Sequence, residues 1–308
     1  MKTYDAAVIG SGPAGLTAAL YLARSGCTTI LFEHMTAGGQ LLATESLENY
    51  PGFPAGIKGY ELADLMEEQL KGLNIDKSRG EVQELRGEAG AFILLADGEP
   101  IPARSVLVCT GARHRHLGLP REDELIGHGV SYCAICDGGF FRNQVVAVVG
   151  GGNSAMEETL YLSKLAKKVH LIHRREDFRG ARIFLEKLES MPDKVQIHRN
   201  TIVTDLLGQN DLEGLGLENL KTGERSTLEV QGLFIYVGFL PQTTFLPEEV
   251  KKDGQGFIIT DTEMRTNVPG IFAAGDIRAK LCRQVVTAAG DGATAAQAAF
   301  IFLEELHA

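Results

Sequence analysis

Apolar and polar positions follow a characteristic order at the start of the chain. Residues 3–10 form a short apolar run, residues 13–24 place apolar side chains at helical spacing, and residues 28–33 form a second apolar run. This order predicts a buried strand, a helix and a second buried strand. The first part of the chain is therefore expected to fold as a β-α-β unit with parallel strands.

The same order returns in the middle of the chain. An apolar run at residues 145–149 precedes a predicted helix over residues 154–166 and a predicted strand over residues 169–172. Each unit is followed by one more apolar run that ends in glycine, at residues 106–111 and 233–238. The period is too long for a solenoid. We therefore predict an α/β fold with two Rossmann-like domains of the three-layer ββα type.

The last part of the chain predicts a strand at residues 270–276 and an alanine-rich helix over residues 285–306, with no dinucleotide-binding turn of its own. We expect it to return and complete the first domain. The middle domain would then be an insertion with two linkers, near residues 112–118 and 239–243. The predicted boundaries are 1–112 and 242–308 for the first domain and 113–241 for the inserted domain.

A glycine-rich turn lies between the strand and the helix of the first unit. Gly10, Gly12 and Gly15 have the spacing that allows a tight turn, close approach of a pyrophosphate and packing of the helix on the strand. Glu33 ends the second strand, close to the position from which an acid accepts a ribose 2′-hydroxyl. A solvated strand-end acid is the alternative. The pattern predicts a dinucleotide with free ribose hydroxyls.

The second unit has a related turn with Gly150, Gly152 and Ala155, but a basic segment takes the place of Glu33. Guanidinium groups bind a phosphate bidentately, whereas a carboxylate repels it. The segment therefore predicts a nucleotide with a 2′-phosphate, NADPH, and a solvated basic run is the alternative. Its residues are His173, Arg174, Arg175 and Arg179.

Cys133 and Cys136 lie between the two turns and are followed by Asp137. A structural zinc site would need two more ligands, and the sequence has no second Cys-x-x-Cys pair. Inert core thiols are another alternative. We favour a redox pair, because a helix N-terminus stabilises a thiolate and Asp137 can act as acid and base, unless it only caps the helix. Three further cysteines are predicted to be ordinary thiols, namely Cys27, Cys109 and Cys282.

Composition restricts the class of protein. The chain has 308 residues, 44% of them hydrophobic and 23% charged, as in a soluble protein of about two domains. The net charge of -10 argues against nucleic acid or an anionic membrane as partner. No apolar run approaches the roughly 20 residues that span a bilayer, and the N-terminus lacks a signal-peptide pattern. With five cysteines, an odd and low number, we expect a cytoplasmic protein without a disulfide framework.

The order of these motifs resembles the low-molecular-weight, bacterial-type thioredoxin reductases over nearly the whole chain. Many flavoproteins share single motifs, but a dithiol just before the second glycine-rich turn is far more specific. The segments that carry the resemblance are 10–15, 38–41, 48–52, 110–112, 133–137, 150–155, 173–175 with Arg179, 273–277 and 283–284.

The resemblance implies a homodimer with FAD on the first domain and NADPH on an inserted domain that rotates. NADPH would reduce FAD, FAD would reduce the Cys133–Cys136 disulfide, and the dithiol would reduce thioredoxin or a thioredoxin-like protein. Cys136 would face the flavin, Cys133 would attack the partner, and Asp137 would move the proton. Residues expected around FAD are Gly10, Ser11, Gly12, Pro13, Ala14, Gly15, Glu33, Gly39, Gln40, Leu41, Asn49, Thr110, Gly111, Gly275, Asp276, Arg283, Gln284 and Val285. Residues expected around NADPH are Gly150, Gly152, Asn153, Ser154, His173, Arg174, Arg175 and Arg179.

Three positions near the dithiol depart from the family pattern. Gly139 stands where relatives commonly have an aromatic residue, His128 where they commonly have arginine, and Ile135 where they often have threonine. Gly139 and His128 flank the dithiol and are candidate docking residues for the partner. A related flavoenzyme with a ferredoxin or peroxiredoxin-linked acceptor is one alternative. The former needs no dithiol, and the latter usually has an added N-terminal dithiol domain. A non-enzymatic nucleotide sensor is the other alternative, and the complete relay argues against it.

Overall fold

The chain divides into two compact units in the computed structural model, which describes residues 2–44 and 47–307. Unit 1 comprises Met1–Arg113 and Leu240–Ala308, and unit 2 comprises His114–Phe239. Unit 1 is therefore discontinuous in sequence, and unit 2 is inserted into it. The outer ends of the predicted first domain, Met1 and Ala308, lie outside the described residues, as do positions 45 and 46.

The regular elements follow one another along the chain as listed here. The strands are β1 Tyr4–Ile9, β2 Thr29–Phe32, β3 Ile75–Ser78, β4 Val82–Glu88, β5 Ala91–Ala96, β6 Glu99–Val108, β7 Ala112–His114, β8 Val130–Ser131, β9 Val145–Gly150, β10 Lys168–Ile172, β11 Val195–His198, β12 Thr201–Leu207, β13 Gly214–Asn219, β14 Arg225–Glu229, β15 Gly232–Tyr236, β16 Phe239–Pro241 and β17 Ile271–Ala273. The helices are α1 Pro13–Arg24, α2 Gly59–Glu68, α3 Ala134–Asp137, α4 Asn153–Leu162, α5 Arg182–Glu189 and α6 Val285–His307.

Both units contain a parallel sheet with the same layout. In unit 1 the parallel order is β3-β2-β1-β6-β17, and β5 and β4 continue antiparallel from β6. In unit 2 the parallel order is β11-β10-β9-β15-β8, and β12, β13 and β14 form a separate antiparallel sheet. The apolar runs form the central strands because each sheet is covered on both faces. The predicted α/β fold class is confirmed.

Most predicted elements of the two β-α-β units occur within one or two residues of their expected bounds. The exception is the helix predicted over residues 154–166, since α4 ends at Leu162. The next residues form a turn, in which the Leu165 carbonyl accepts a hydrogen bond from the Asn143 amide and the Gln144 carbonyl accepts one from the Lys167 amide. These bonds to the two residues that precede β9 replace the continuation of the helix.

Helix α6 packs along α1 in unit 1 and closes the sheet from one side. A Cβ atom at Gly292 would lie 2.2 Å from the Ala14 carbonyl oxygen, so glycine is required for this close approach. Among the described residues, the segment Val285–Leu306 is long and apolar enough to cross a membrane by length and composition alone. The expectation that no run approaches this length is therefore wrong here. Core helices of soluble proteins pass the same test.

Candidate active site

Unit 1 has a cleft of about 740 Å³ at the carboxyl ends of β1, β2 and β6. Ligands of open α/β sheets bind at this edge. Twelve of the residues predicted to hold a dinucleotide line the cleft, namely Gly10, Ser11, Gly12, Pro13, Ala14, Glu33, Gly39, Gln40, Thr110, Gly111, Gly275 and Asp276. The structure thus brings together residues from five separate stretches of sequence.

In the turn between β1 and α1, each glycine is needed for a different structural reason. Gly10 has a φ of +98°, and a Cβ atom there would lie 2.6 Å from the Cys109 carbonyl oxygen. A Cβ atom at Gly15 would lie 1.8 Å from the Gly10 carbonyl oxygen. At Gly12 no atom lies within 4 Å of an added Cβ. Gly10 and Gly15 therefore shape the turn, whereas Gly12 leaves the cleft open for a ligand to approach the backbone.

Glu33 holds the glycine turn from the end of β2. Its carboxylate accepts hydrogen bonds from the amide and hydroxyl of Ser11, at 3.1 and 2.8 Å, and from the Met35 amide at 3.0 Å. An ionised carboxylate offers about four acceptor positions. Glu33 therefore joins the turn to the second strand and retains capacity for a hydroxyl donor in the cleft.

Asp276 presents an unpartnered oxygen at the opposite side of the cleft. Within the described residues, its Oδ1 atom is buried and accepts no hydrogen bond. Burial raises the pKa of this carboxyl to about 6, although the positive charges of Lys280 and Arg283 act in the opposite direction. A buried acceptor without a donor costs free energy, so the site is suited to a ligand that brings a hydroxyl or N–H group.

Side-chain hydrogen bonds hold several of the predicted residues of unit 1 in place. The Gln40 amide donates to the Ala112 carbonyl, the Thr110 hydroxyl donates to the Gln242 carbonyl at 2.9 Å, and Asn49 donates to Gln284 at 3.1 Å. Gly15, Leu41, Asn49, Arg283, Gln284 and Val285 do not line the cleft. Other residues that line the cleft belong to no recognised motif and were not predicted from the sequence. They include His34, Met35, Thr36, Gly80, Glu81, Val82, Arg113, Gln242, Thr244 and Phe245.

In unit 2 the turn between β9 and α4 has a similar construction. Gly150 has a φ of +159°, and a Cβ atom there would lie 2.6 Å from the Tyr236 carbonyl oxygen and from the Ala155 Cβ. At Gly152, which precedes α4, no atom lies within 4 Å of an added Cβ. The Asn153 side chain accepts a hydrogen bond from the Ala181 amide at 2.7 Å, and Ser154 is exposed. The turn therefore leaves the N-terminus of α4 accessible to an anion.

The predicted basic segment separates into one buried and three exposed side chains. The His173 ring is 6% exposed, lies against Gly151 and Phe178, and contacts the Asp177 carbonyl at 3.1 Å. Burial lowers its pKa and so favours the neutral ring, and its contacts with Gly151, Phe178 and Asp177 hold the segment in place. The amide of Arg179 donates to the Gly151 carbonyl at 2.8 Å and thereby brings the segment to the glycine turn. Three guanidinium groups form no ion pair with any described residue: Arg174, Arg175 and Arg179.

The two cysteines form a disulfide at the start of α3. Cys133 is the N-cap residue, and its Sγ atom accepts a hydrogen bond from the Cys136 amide at 3.2 Å. The Asp137 carboxylate accepts a hydrogen bond from the Ser131 hydroxyl at 2.6 Å. The pair therefore lies at the start of a helix, where backbone amides can stabilise a thiolate. An amide that donates to Cys133 favours negative charge on this sulfur after reduction.

A second partly buried carboxyl lies in the same region of unit 2. The Tyr236 hydroxyl accepts a hydrogen bond from the Ala134 amide at 2.6 Å, behind the disulfide. The Oε2 atom of Glu158 on α4 is buried and has no partner among the described residues. Burial raises the Glu158 pKa to about 7, and the Glu157 charge adds to the effect. The carboxyl group of Glu158, with a pKa near neutral pH, therefore lies on α4, the helix that packs against the helix of the disulfide.

The three other cysteines are free thiols, and two positions that depart from the family pattern, His128 and Gly139, are exposed. Cys27 and Cys109 are buried, and burial raises the pKa of both thiols, that of Cys27 to about 11. Cys282 is exposed. His128 is exposed and contacts Asp211 at 3.1 Å, and Gly139 lies in open space. Phe140, the next residue after Gly139, is 52% exposed beside the dithiol segment.

Comparison with known proteins identifies one family. The model of the pyridine nucleotide-disulphide oxidoreductases matches residues 4–292. A thioredoxin reductase of Listeria monocytogenes is 44% identical over 306 residues, which cover 99% of this chain and 95% of the relative. The thioredoxin reductase of Bacillus subtilis is 42% identical over 306 residues, covering 99% and 96%.

A solved structure supports the same family assignment. The crystal structure of thioredoxin reductase from Streptococcus pyogenes is similar with a TM-score of 0.92 and 43% identity, over 98% of this chain and 99% of that chain. The resemblance inferred from the motifs is confirmed by these matches. The chain belongs to the pyridine nucleotide-disulphide oxidoreductases and, within them, to the low-molecular-weight thioredoxin reductases.

Proposed function

We propose that the chain is an NADPH-dependent, FAD-containing thioredoxin reductase with Cys133 and Cys136 as its redox-active pair. The observation that carries the proposal is the disulfide at the N-terminus of α3, in the unit that also contains the second glycine turn. The family supports the same reaction class, because its relatives of similar length are named thioredoxin reductases.

Unit 1 is the proposed FAD domain. When bound, FAD would supply electron transfer between a nicotinamide and a disulfide. The residues present fit the group, because the open backbone at Gly12 suits a pyrophosphate and the unpartnered Asp276 oxygen suits a hydroxyl donor. Glu33 would accept the ribose hydroxyls, and Gln40, Asn49, Thr110, Arg283 and Gln284 would support the wall of the site.

Unit 2 is the proposed NADPH domain. Gly152 and the N-terminus of α4 would bind the pyrophosphate through backbone amides. Arg174, Arg175 and Arg179 would bind the 2′-phosphate, since their guanidinium groups have no ion-pair partner among the described residues. His173 would hold this segment in place through its buried ring.

The chain's own cysteines would carry out the exchange with the partner. The Cys133 thiolate attacks one sulfur of the partner disulfide, so that a Cys133–partner bond forms and the other partner sulfur leaves and takes a proton. Cys136 then attacks Cys133, restores their disulfide and releases the second partner thiol. The partner gains two electrons and two protons, and the dithiol loses the same. Asp137 is the proposed group that transfers the proton to the leaving thiolate.

The proposed partner is thioredoxin or a thioredoxin-like protein, and the proposed assembly is a homodimer in the cytoplasm. The thioredoxin partner follows from the names of the relatives, and the homodimer and the cytoplasmic location follow from the family resemblance.

The test is a coupled assay with the thioredoxins of the host, NADPH or NADH as donor, and two cysteine variants. Cys133→Ser should lose thioredoxin reduction to background while NADPH still bleaches the bound flavin. Cys282→Ser, which removes an exposed free thiol, is the matched control and should retain activity. A colourless protein that takes up no FAD, or a Cys133→Ser variant with wild-type turnover, would contradict the proposal.

A further inference from the structure

A buried charge cluster lies behind the cleft of unit 1. The Oδ2 atom of Asp291 on α6 contacts Arg278 Nη1 at 2.9 Å and Lys280 Nζ at 2.7 Å. It also accepts a hydrogen bond from the Gly275 amide at 3.1 Å. The three charged side chains are only 10–13% exposed. One carboxylate therefore serves two cations and a backbone amide in a region with little water.

The cluster joins Thr260, the loop 275–280 and the first turns of α6. Arg278 Nε donates to the Thr260 hydroxyl at 2.7 Å, and Lys280 donates to the Thr287 hydroxyl at 3.1 Å. Gly275 has a φ of +82°, and a Cβ atom there would lie 2.9 Å from the Ala14 Cβ. The turn before Asp276 is therefore held between α1 and Asp291.

We propose that Asp291, with Lys280 and Arg278, positions the Gly275–Asp276 turn for flavin binding. This inference rests on the proposed FAD site. In the part of the chain that the structure describes, Gly275 and Asp276 line the cleft, but none of the three charged residues does. They are positioning residues, because they act on the ligand through the turn.

The same cluster influences the ionisation of Asp276. Lys280 and Arg283 lower the pKa of this buried carboxyl, whereas Asp291 raises it. An ionised carboxylate only accepts hydrogen bonds, so ionised Asp276 suits a ribityl hydroxyl donor. Removal of the Lys280 charge should therefore shift the loss of FAD affinity at acid pH toward higher pH. Removal of the Asp291 charge should shift it toward lower pH.

The experiment measures the Kd for FAD on apoprotein from pH 5 to 8, with thermal unfolding of the same apoprotein. Asp291→Asn should weaken FAD binding at pH 8 by about tenfold or more, because the Gly275 amide loses its charged acceptor. Lys280→Met should raise the pH at which affinity falls. The double variant, which removes one charge of each sign, should recover part of the affinity because the two residues are in direct contact. Glu305→Gln, an exposed acid on the same helix, is the control and should bind FAD like the wild type.

The outcomes separate the two proposals. A wild-type chain that binds no FAD refutes the proposed function. If wild type binds FAD, and Asp291→Asn and Lys280→Met leave both the Kd and its pH profile unchanged, the positioning role is refuted and the FAD site stands. If Asp291→Asn does not fold, the test uses Lys280→Met and the double variant. If both bind FAD with the Kd and the pH profile of the wild type, the inference is overturned.

Discussion

The two units share a β-α-β frame but differ at two positions of it. The third place of the glycine turn is Gly15 in unit 1 and Ala155 in unit 2, and the second strand leads to Glu33 in unit 1 and to a buried His173 followed by arginines in unit 2. The frame depends on backbone geometry that both sequences satisfy. The difference is confined to a few side chains, which agrees with the proposal that the two turns bind different nucleotides.

Each unit also contains a buried carboxyl oxygen without a partner among the described residues. Asp276 lies in the cleft of unit 1, and Glu158 lies on α4 close to Tyr236 in unit 2. Burial raises the pKa of both, to about 6 and about 7. Such groups reduce stability in the absence of a ligand, which is typical of binding and catalytic sites.

The largest effect should come from exchanging the third residue of the two turns. Gly15→Ala places a methyl group 1.8 Å from the Gly10 carbonyl oxygen, so the turn or α1 must shift. We expect a loss of at least about 3 kcal/mol in the free energy of unfolding and no retained FAD. Ala155→Gly in unit 2 is the matched control and should cost only about 1 kcal/mol. Denaturant unfolding of both variants measures the difference, and equal losses would contradict the comparison.

The second prediction concerns the buried carboxyl of unit 1. Because the folded-state pKa of Asp276 is raised from 3.8 to about 6, its ionisation opposes folding above about pH 4, and the penalty is complete above about pH 6. Asp276→Asn should therefore stabilise the apoprotein by up to about 3 kcal/mol at pH 8, whereas at pH 3.5 it should change little. Unfolding of apoprotein at both pH values measures this. A variant less stable than wild type at pH 8 would disprove the assignment.

The third prediction, with the smallest expected effect, concerns the arginines that follow β10 in unit 2, where unit 1 has Glu33. Arg174→Ala with Arg175→Ala should raise the KM for NADPH about tenfold to a hundredfold and leave the KM for NADH unchanged, since only the 2′-phosphate contacts are lost. Arg182→Ala is the control, because this arginine is exposed and pairs with Glu186. Steady-state kinetics with both donors give the ratio. An unchanged preference would mean that the arginines do not contact the phosphate.

Sequence patterns were most informative where the determining contacts are short in range. The turn at Gly10, Gly12 and Gly15, both β-α-β units and the start of α3 at Cys133 were predictable, because strand and helix periodicity and tight turns depend on nearby residues. The end of α4 was not, since it depends on bonds to Asn143 and Gln144, the two residues that precede β9. The roles of His173 and Gly151 also depend on packing that periodicity does not report.

The sequence by itself determined the family, the two glycine-rich turns, the cysteine pair and the opposite charges at the two strand ends. The tertiary structure decided which of these groups are buried and which contact one another. The Asn49 amide donates to Gln284, which lies 235 residues further along the chain, and Asp291 on α6 contacts Gly275 and Lys280 in the preceding loop. Such contacts depend on how helices pack on the sheet, which fixes burial and therefore the pKa of groups such as Asp276.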